Sequence, residues 1–394
     1  MSNATISVRG GRIVSVTENG PAGGMDAGGA WVTPGFVYAF SQVGIAEGNG
    51  LGDVDDRFAN RSPYSAALDV RDAFNPATVS MGVLRRDGVT SMAVVPLPGR
   101  DIFAGQAAVY STAENVADPI LKPHAFQLID LSQNGANDAG GSRTAAFARL
   151  RDPFLEARAF SRNPNGYEFG RTQDSLFTRA DAEALVDVVT GKTTALIAVE
   201  RASDIRRVLG LKREYPSLEM VLIGASEGWL VAPEIAAAGV AVMAVPEFNL
   251  PASFETLAAT QSNIGRMVNA GVKVAAIDTL TSTLTPQLAQ QAAQLVAQSR
   301  VQGATGLQHA RALMTVTSMP ADMIGLPDAG RIAPGARADI VVWDGDPLEA
   351  TSAPTAVYIG GVQQPTESRQ TKLRDRYNPT RPENGLPPAY SGTR

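Results

Sequence analysis

Cysteine is absent from the 394 residues, and histidine occurs only twice, at positions 124 and 309. The first absence removes disulfides, thiolate metal sites and cysteine nucleophiles, and leaves the redox compartment open. The second leaves too few imidazoles for a histidine-built metal cluster. No stretch approaches the roughly 18 uncharged apolar residues of a membrane span. Nor is there an excess of basic residues: 34 Lys and Arg against 39 Asp and Glu give a net charge of −5. The basic residues are scattered along the chain, which speaks against a nucleic-acid partner.

What is present is an ordinary globular composition, 44% hydrophobic, in a chain long enough for one large domain and a small accessory. Residues 5–16 alternate apolar and polar around Gly10-Gly11, the pattern of a short hairpin. Asn75-Pro76 starts a helix that leads to an apolar strand at 89–95. Residues 99–110 read as irregular, and 133–177 as a long loop interrupted by a short helix near 142–151. From Thr178, which caps a helix ending at Gly191, strands at 195–199, 220–223, 240–245 and 272–277 alternate with helices. These helices are one capped by Ser203, then 227–238, 254–269, and one running from Thr285-Pro286 to Arg300. Strands separated by single helices run parallel, and their number predicts an α/β (β/α)8 barrel. The acidic cluster Asp53, Asp55 and Asp56 lacks the glycine turn and distal Glu of an EF-hand loop, so it reads as a solvated loop.

Two stretches carry a family resemblance. WVTPGFVYAFSQVGIAEGNG (31–50) resembles the first barrel strand of the amidohydrolase superfamily, nearest its imidazolonepropionase-like members. RIAPGARADIVVWDGDP (331–347) resembles that family's C-terminal signature. The resemblance runs from about Val8 to Gln363 and implies a TIM-like barrel over 33–331. A small discontinuous β-sandwich would come from 1–32 plus 332–365, and an extended tail from 366–394. Relatives carry a further strand pair ahead of the hairpin, so the chain is expected to start late. A cytoplasmic location is the default, periplasmic or secreted if a leader was removed.

The family signature continues from Thr-Pro-Gly with two apolar residues, Asp-Ala and His-x-His. Here Tyr38 stands at the Asp position, Phe40 at the first His and Gln42 at the second. Ala198 and Gly224 stand at the later His positions. The last-strand Asp falls near Leu280, with Asp278 two residues earlier on the same face of the strand. A phenyl ring cannot bind a metal, and a carboxamide is a poor substitute for imidazole on zinc. The expectation is therefore no metal and no cofactor, with Tyr38, Phe40 and Gln42 lining the vacated pocket. Phe40 would plug its floor, and Ala198 and Gly224 would leave room opposite.

The resulting expectation of function is a non-catalytic binding or assembly subunit, homo-oligomeric or partnered with a metal-bearing amidohydrolase paralogue. One alternative is a C–N hydrolase using Asp278, Glu200, Gln42 and a water. Another is a serine hydrolase, since Gly224-Ala-Ser226-Glu-Gly228 matches G-x-S-x-G between strand and helix, with Asp278 and His309 following in order. Against the latter, the His-Gly-Gly oxyanion motif is missing and His309 lies in a helical pattern. Neither His124 nor His309 has a second His or Cys at ligand spacing, which gives both a structural role. Val189 to Thr193 lacks the first glycine and the strand-then-helix order of a phosphate loop.

Overall fold

The computed structural model describes residues 3–20, 23–47, 54–114, 116–163, 177–248, 250–278, 287–367 and 369–378. Asp53, Leu280, the Thr285-Pro286 helix start and the tail beyond 378 lie outside them. Gly10 and Gly11 both take positive φ, 58° and 77°, the turn that suits the right-handed twist of paired strands. They join β1 (Ala4–Arg9) to β2 (Arg12–Glu18) as the expected antiparallel hairpin. β3 (Trp31–Pro34) then leads through Gly35 into the main sheet.

That sheet has eight strands in chain order: β4 (Phe36–Ser41), β5 (Val89–Val94), β6 (Phe103–Ser111), β7 (Ile120–Asp130), β8 (Thr194–Val199), β9 (Met220–Gly224), β10 (Ala241–Ala244) and β11 (Val274–Ala276). Its two edges are bridged by one short segment. Ala276 N–H donates to the Thr315 carbonyl and Val37 N–H to the Val316 carbonyl, both at 2.9 Å, giving a nearly closed barrel. One strand departs from the all-parallel expectation. β6 runs antiparallel to both β5 and β7, and residues 99–110, read as irregular, contain most of it. No helix separates β6 from either neighbour, so the chain must reverse at each end.

The helices are α1 (Val79–Arg86), α2 (Gln133–Asp138), α3 (Arg143–Arg162), α4 (Arg179–Val189), α5 (Ala202–Glu214), α6 (Ala232–Ala237), α7 (Asn263–Asn269), α8 (Leu288–Ala297), α9 (His309–Met314), α10 (Ser318–Met323) and α11 (Arg369–Tyr377). None of the described helices is long and apolar enough to cross a membrane. α3 is far longer than the short helix expected, continuing through Pro153. Ala146, Phe147, Leu150, Phe154, Ala157 and Phe160 lie buried at helical spacing along it, and that continuous apolar stripe offsets the roughly 3 kcal/mol an interior proline costs. α5 begins at Ala202 without a side-chain cap from its N-cap residue; the Ala202 N–H instead reaches Glu227 Oε2 at 3.0 Å, so Ser203 is not its cap. Residues 254–262, expected to be helical, form turns before α7.

Side-chain alternation sorts the barrel into two layers. Leu196, Val221, Ile223, Met243, Ala275 and Ile277 share an interior cluster with Ala93 and Phe126, while Ile197, Leu222, Val242 and Ala276 belong to the cluster shared with the helices. Ala321 and Met323 of α10 join the interior cluster. C-terminal strands β12 (Ile340–Trp343), β13 (Pro354–Ile359) and β14 (Val362–Gln363) form a second sheet in the order β14-β13-β12-β3. Both halves of the chain thus contribute to it. Ile13 of the hairpin packs with Ala336, Ala338 and Ile340.

Candidate active site at the strand ends

β4 carries the first signature positions, and its register decides where they point. Tyr38 pairs with Met92 and Ser41 with Val94, so an extra residue is accommodated between them. Such a bulge breaks the alternation. Ala39 and Phe40 therefore both join the interior cluster, and Phe40 is only 2% exposed. Tyr38, beside Met92, belongs instead to the layer packed against the helices, which also holds Leu84, so it does not flank Phe40 in a shared pocket as expected. Burial, with Asp278 adding to it, pushes the Tyr38 phenol well above its ordinary range. Gln42 is fully buried, and both amide atoms lack a hydrogen-bond partner.

Across the barrel, parallel register sets Asp130 beside Ala198 and Val199 beside Gly224. Glu200 follows directly on β8 and its carboxylate lies over Gly224. A Cβ built on Gly224, whose φ is +92°, would come within 2.2 Å of Glu200 Oε1. The space expected to be open at Gly224 is therefore filled. Ser226 donates both its N–H, at 2.9 Å, and its Oγ, at 2.6 Å, to Glu200 Oε2. Burial outweighs these two hydrogen bonds and pushes the Glu200 carboxyl up to about 7, with Glu255 and Asp130 adding to the rise. Asp130 is also raised, by burial, against the hydrogen bonds it accepts from Ser132 and Gly135.

The turn holding Ser226 is fixed from several sides. Ala225 takes a positive φ of 49°, and its carbonyl accepts from Asn263 Nδ2 at 3.0 Å. Glu227 Oε1 accepts the Ala258 N–H at 3.1 Å. Asp130, Asn263 and Glu227 were not singled out from the sequence. Asp130 closes the apolar run FQLID, and a carboxylate ending a buried strand was the signal available.

The other sequence candidates lie elsewhere. Asp278 is 3.4 Å from Gln291 Nε2 of α8, while Glu200 is engaged by Ser226, so the two carboxylates have separate partners. His309 opens α9, with Nε2 2.8 Å from Asp346 and its ring 5.6 Å from that of Trp31. It is therefore committed to Asp346 rather than to Ser226. His124 sits inside β7 with Nε2 2.9 Å from Asp69.

The side chains do not fit the metal that the amidohydrolase resemblance implies. Phe40, Ala198 and Gly224 offer no donor, and Gln42 offers a neutral amide. Among the described residues, no three of His, Asp or Glu are arranged to hold an ion.

An eight-stranded, nearly closed α/β barrel with polar groups gathered at the carboxyl ends of its strands defines the class of protein. A sequence model of the Amidohydrolase family matches residues 141–363, and the chain belongs to that family. Amidohydrolase tasK of Hapsidospora irregularis is 25% identical over 377 residues, covering 86% of this chain and 37% of that protein. The chain thus spans little more than a third of that relative. The crystal structure of an amidohydrolase from Thermotoga maritima superposes with a TM-score of 0.78 at 25% identity, covering 91% of this chain and 94% of that one. N-isopropylammelide isopropylaminohydrolase from Burkholderia multivorans shares the fold, with a TM-score of 0.51 at 15% identity over 91% of this chain and 94% of that one.

Proposed function

We propose that this chain is an amidohydrolase-family barrel that has lost the hydrolytic metal centre and serves as a binding or assembly subunit beside a catalytic amidohydrolase. The observation that carries the reading is the filling of the vacated positions: Phe40 is buried in the barrel interior, and the Glu200 carboxylate covers Gly224. Without a metal, water keeps a pKa near 15.7 rather than about 7. The Thr33-Pro34-Gly35 run supports placing the chain nearest the imidazolonepropionase-like members. We also divide it into a barrel over 33–331 and a small β unit from 1–32 plus 332–365. The shared sheet of β3 with β12 supports that division.

One observation favours a second reading, a residual hydrolase. A carboxyl titrating near 7 that accepts a serine Oγ at 2.6 Å is matched to the work of a general base. In this reading Ser226 is the nucleophile and Glu200 its base, with no part for His309 or Asp278. The experiment is turnover of a panel of linear and cyclic amides, with and without added zinc or manganese. The expected result is no hydrolysis above that of a Ser226→Ala/Glu200→Gln variant. Hydrolysis abolished by either single substitution would replace the first reading with the second.

A further inference from the structure

We propose that a groove between α3 and α5, outside the barrel, binds a compact polyanion made of two or three linked phosphoryl groups. On α3, Arg143, Phe147 and Arg151 recur every four residues and so share one face. On α5, Arg206, Gly210 and Arg213, spaced by four and then three residues, likewise share one face. With Arg201 and Arg207 these bring six guanidinium groups to a single cavity of about 710 Å³. α3 packs on α4, which leaves this side open. In sequence the arginines look dispersed; two helix periods gather them.

Carboxylates hold these arginines in place without cancelling them. Asp204, with its side chain 1% exposed, accepts from Arg143 at 2.8 Å, Arg201 at 3.1 Å and Arg207 at 2.7 Å. Arg151 pairs with Glu214, Arg206 with Glu234, and Arg143 also with Glu255. Six positive charges face four carboxylates, an excess of two in a chain whose net charge is −5. Arg213 has no salt bridge within 4 Å among the described residues, although its charge, with that of Arg151, helps hold the Glu214 carboxyl below its ordinary range. A guanidinium has five N–H donors, so those fixed on Asp204 keep others free, and their planar fork matches phosphoryl oxygens.

Gly210 points the same way independently. It lies inside α5, and a Cβ there would meet only Arg213 Nη2, at an ordinary 3.5 Å. Packing does not demand glycine, and glycine weakens a helix interior relative to alanine. A ligand that must approach the helix backbone between Arg206 and Arg213 does demand it. The stretch from Arg143 to Arg151 covers about 12 Å at 1.5 Å per residue, enough for a short phosphate chain.

The test is calorimetric titration at low ionic strength with inorganic tripolyphosphate and, separately, a nucleoside triphosphate. The proteins are wild type, Arg207→Gln/Arg213→Gln and Gly210→Leu, each checked for an unchanged melting temperature. Both ligands should bind wild type, weaken as salt rises, and lose at least about tenfold in affinity in each variant. Equal affinities would identify the phosphate chain as the recognised group, and a tighter nucleotide would add a base contact to it. Absence of binding by both ligands, or binding unchanged in both folded variants, overturns the proposal.

Discussion

Glu200 occupies the volume that a side chain at position 224 would need. Substituting Gly224→Ala forces a Cβ against that carboxylate in a backbone conformation alanine rarely adopts. Stability should fall by about 1–3 kcal/mol on chemical denaturation. In a Glu200→Ala background the steric part of that loss should vanish, leaving the backbone part, and a double-mutant cycle reads the difference. Glu200 also makes stability depend on pH. Its folded value of about 7 lies above the ordinary 4.5, so the folded state binds the proton more tightly. The contribution is complete below about pH 4.5 and is lost as pH rises through 7. Relative to Glu200→Gln, wild type should lose on the order of 2–3 kcal/mol between those limits. A stability difference flat with pH would show the carboxyl to be ordinary. Position 224 was legible in the sequence as one where the resemblance implies an imidazole. What covers it was not, because Glu200 reaches Gly224 only through the pairing of β8 with β9.

At the scale of the element, the bulge in β4 turns Phe40 into the barrel and Tyr38 toward the helices. A strict period of two would have set 38 and 40 on one face, and a bulge leaves no mark in composition, so the sequence reading gave Tyr38 the wrong neighbours. Phe40→Ala should cost about 3–5 kcal/mol, as for a core phenylalanine, measured by urea denaturation. A loss under about 1 kcal/mol would mean that the ring fills nothing. The rhythm of β8 to β11 was legible because each strand is followed by a helix of opposite period. β6 was not: Gly105 bends it, at φ +120° and with the Leu68 carbonyl only 2.7 Å from where a Cβ would stand. That glycine belongs to a turn pattern by composition and to a strand in fact. α3 was cut short in the reading because Pro153 outweighs its neighbours locally, whereas the buried stripe on both sides of it decides in the fold.

The whole molecule combines a nearly closed barrel with a small sheet shared by its two halves, both set by hydrophobic packing, and under the proposed reading the positions that relatives use for a metal carry residues that pack. Under the proposed assembly role, the protein should not be a lone monomer. Light scattering should report an oligomer, or co-purification from the native cell should recover a metal-bearing amidohydrolase. A monomer with no such relative recovered counts against the assembly role. The central claim, that no hydrolytic metal is held at the strand ends, has a more direct test. The purified protein is incubated with excess zinc, manganese or iron, freed of unbound ion, and its metal content per chain determined by elemental analysis. If Phe40, Gln42, Ala198 and Gly224 stand at the family's ligand positions, as the resemblance implies, the content should fall far short of one ion per chain and its melting temperature should not rise with the metal. About one tightly held ion per chain, raising the melting temperature and lost on Glu200→Gln or Asp130→Asn, would contradict the account.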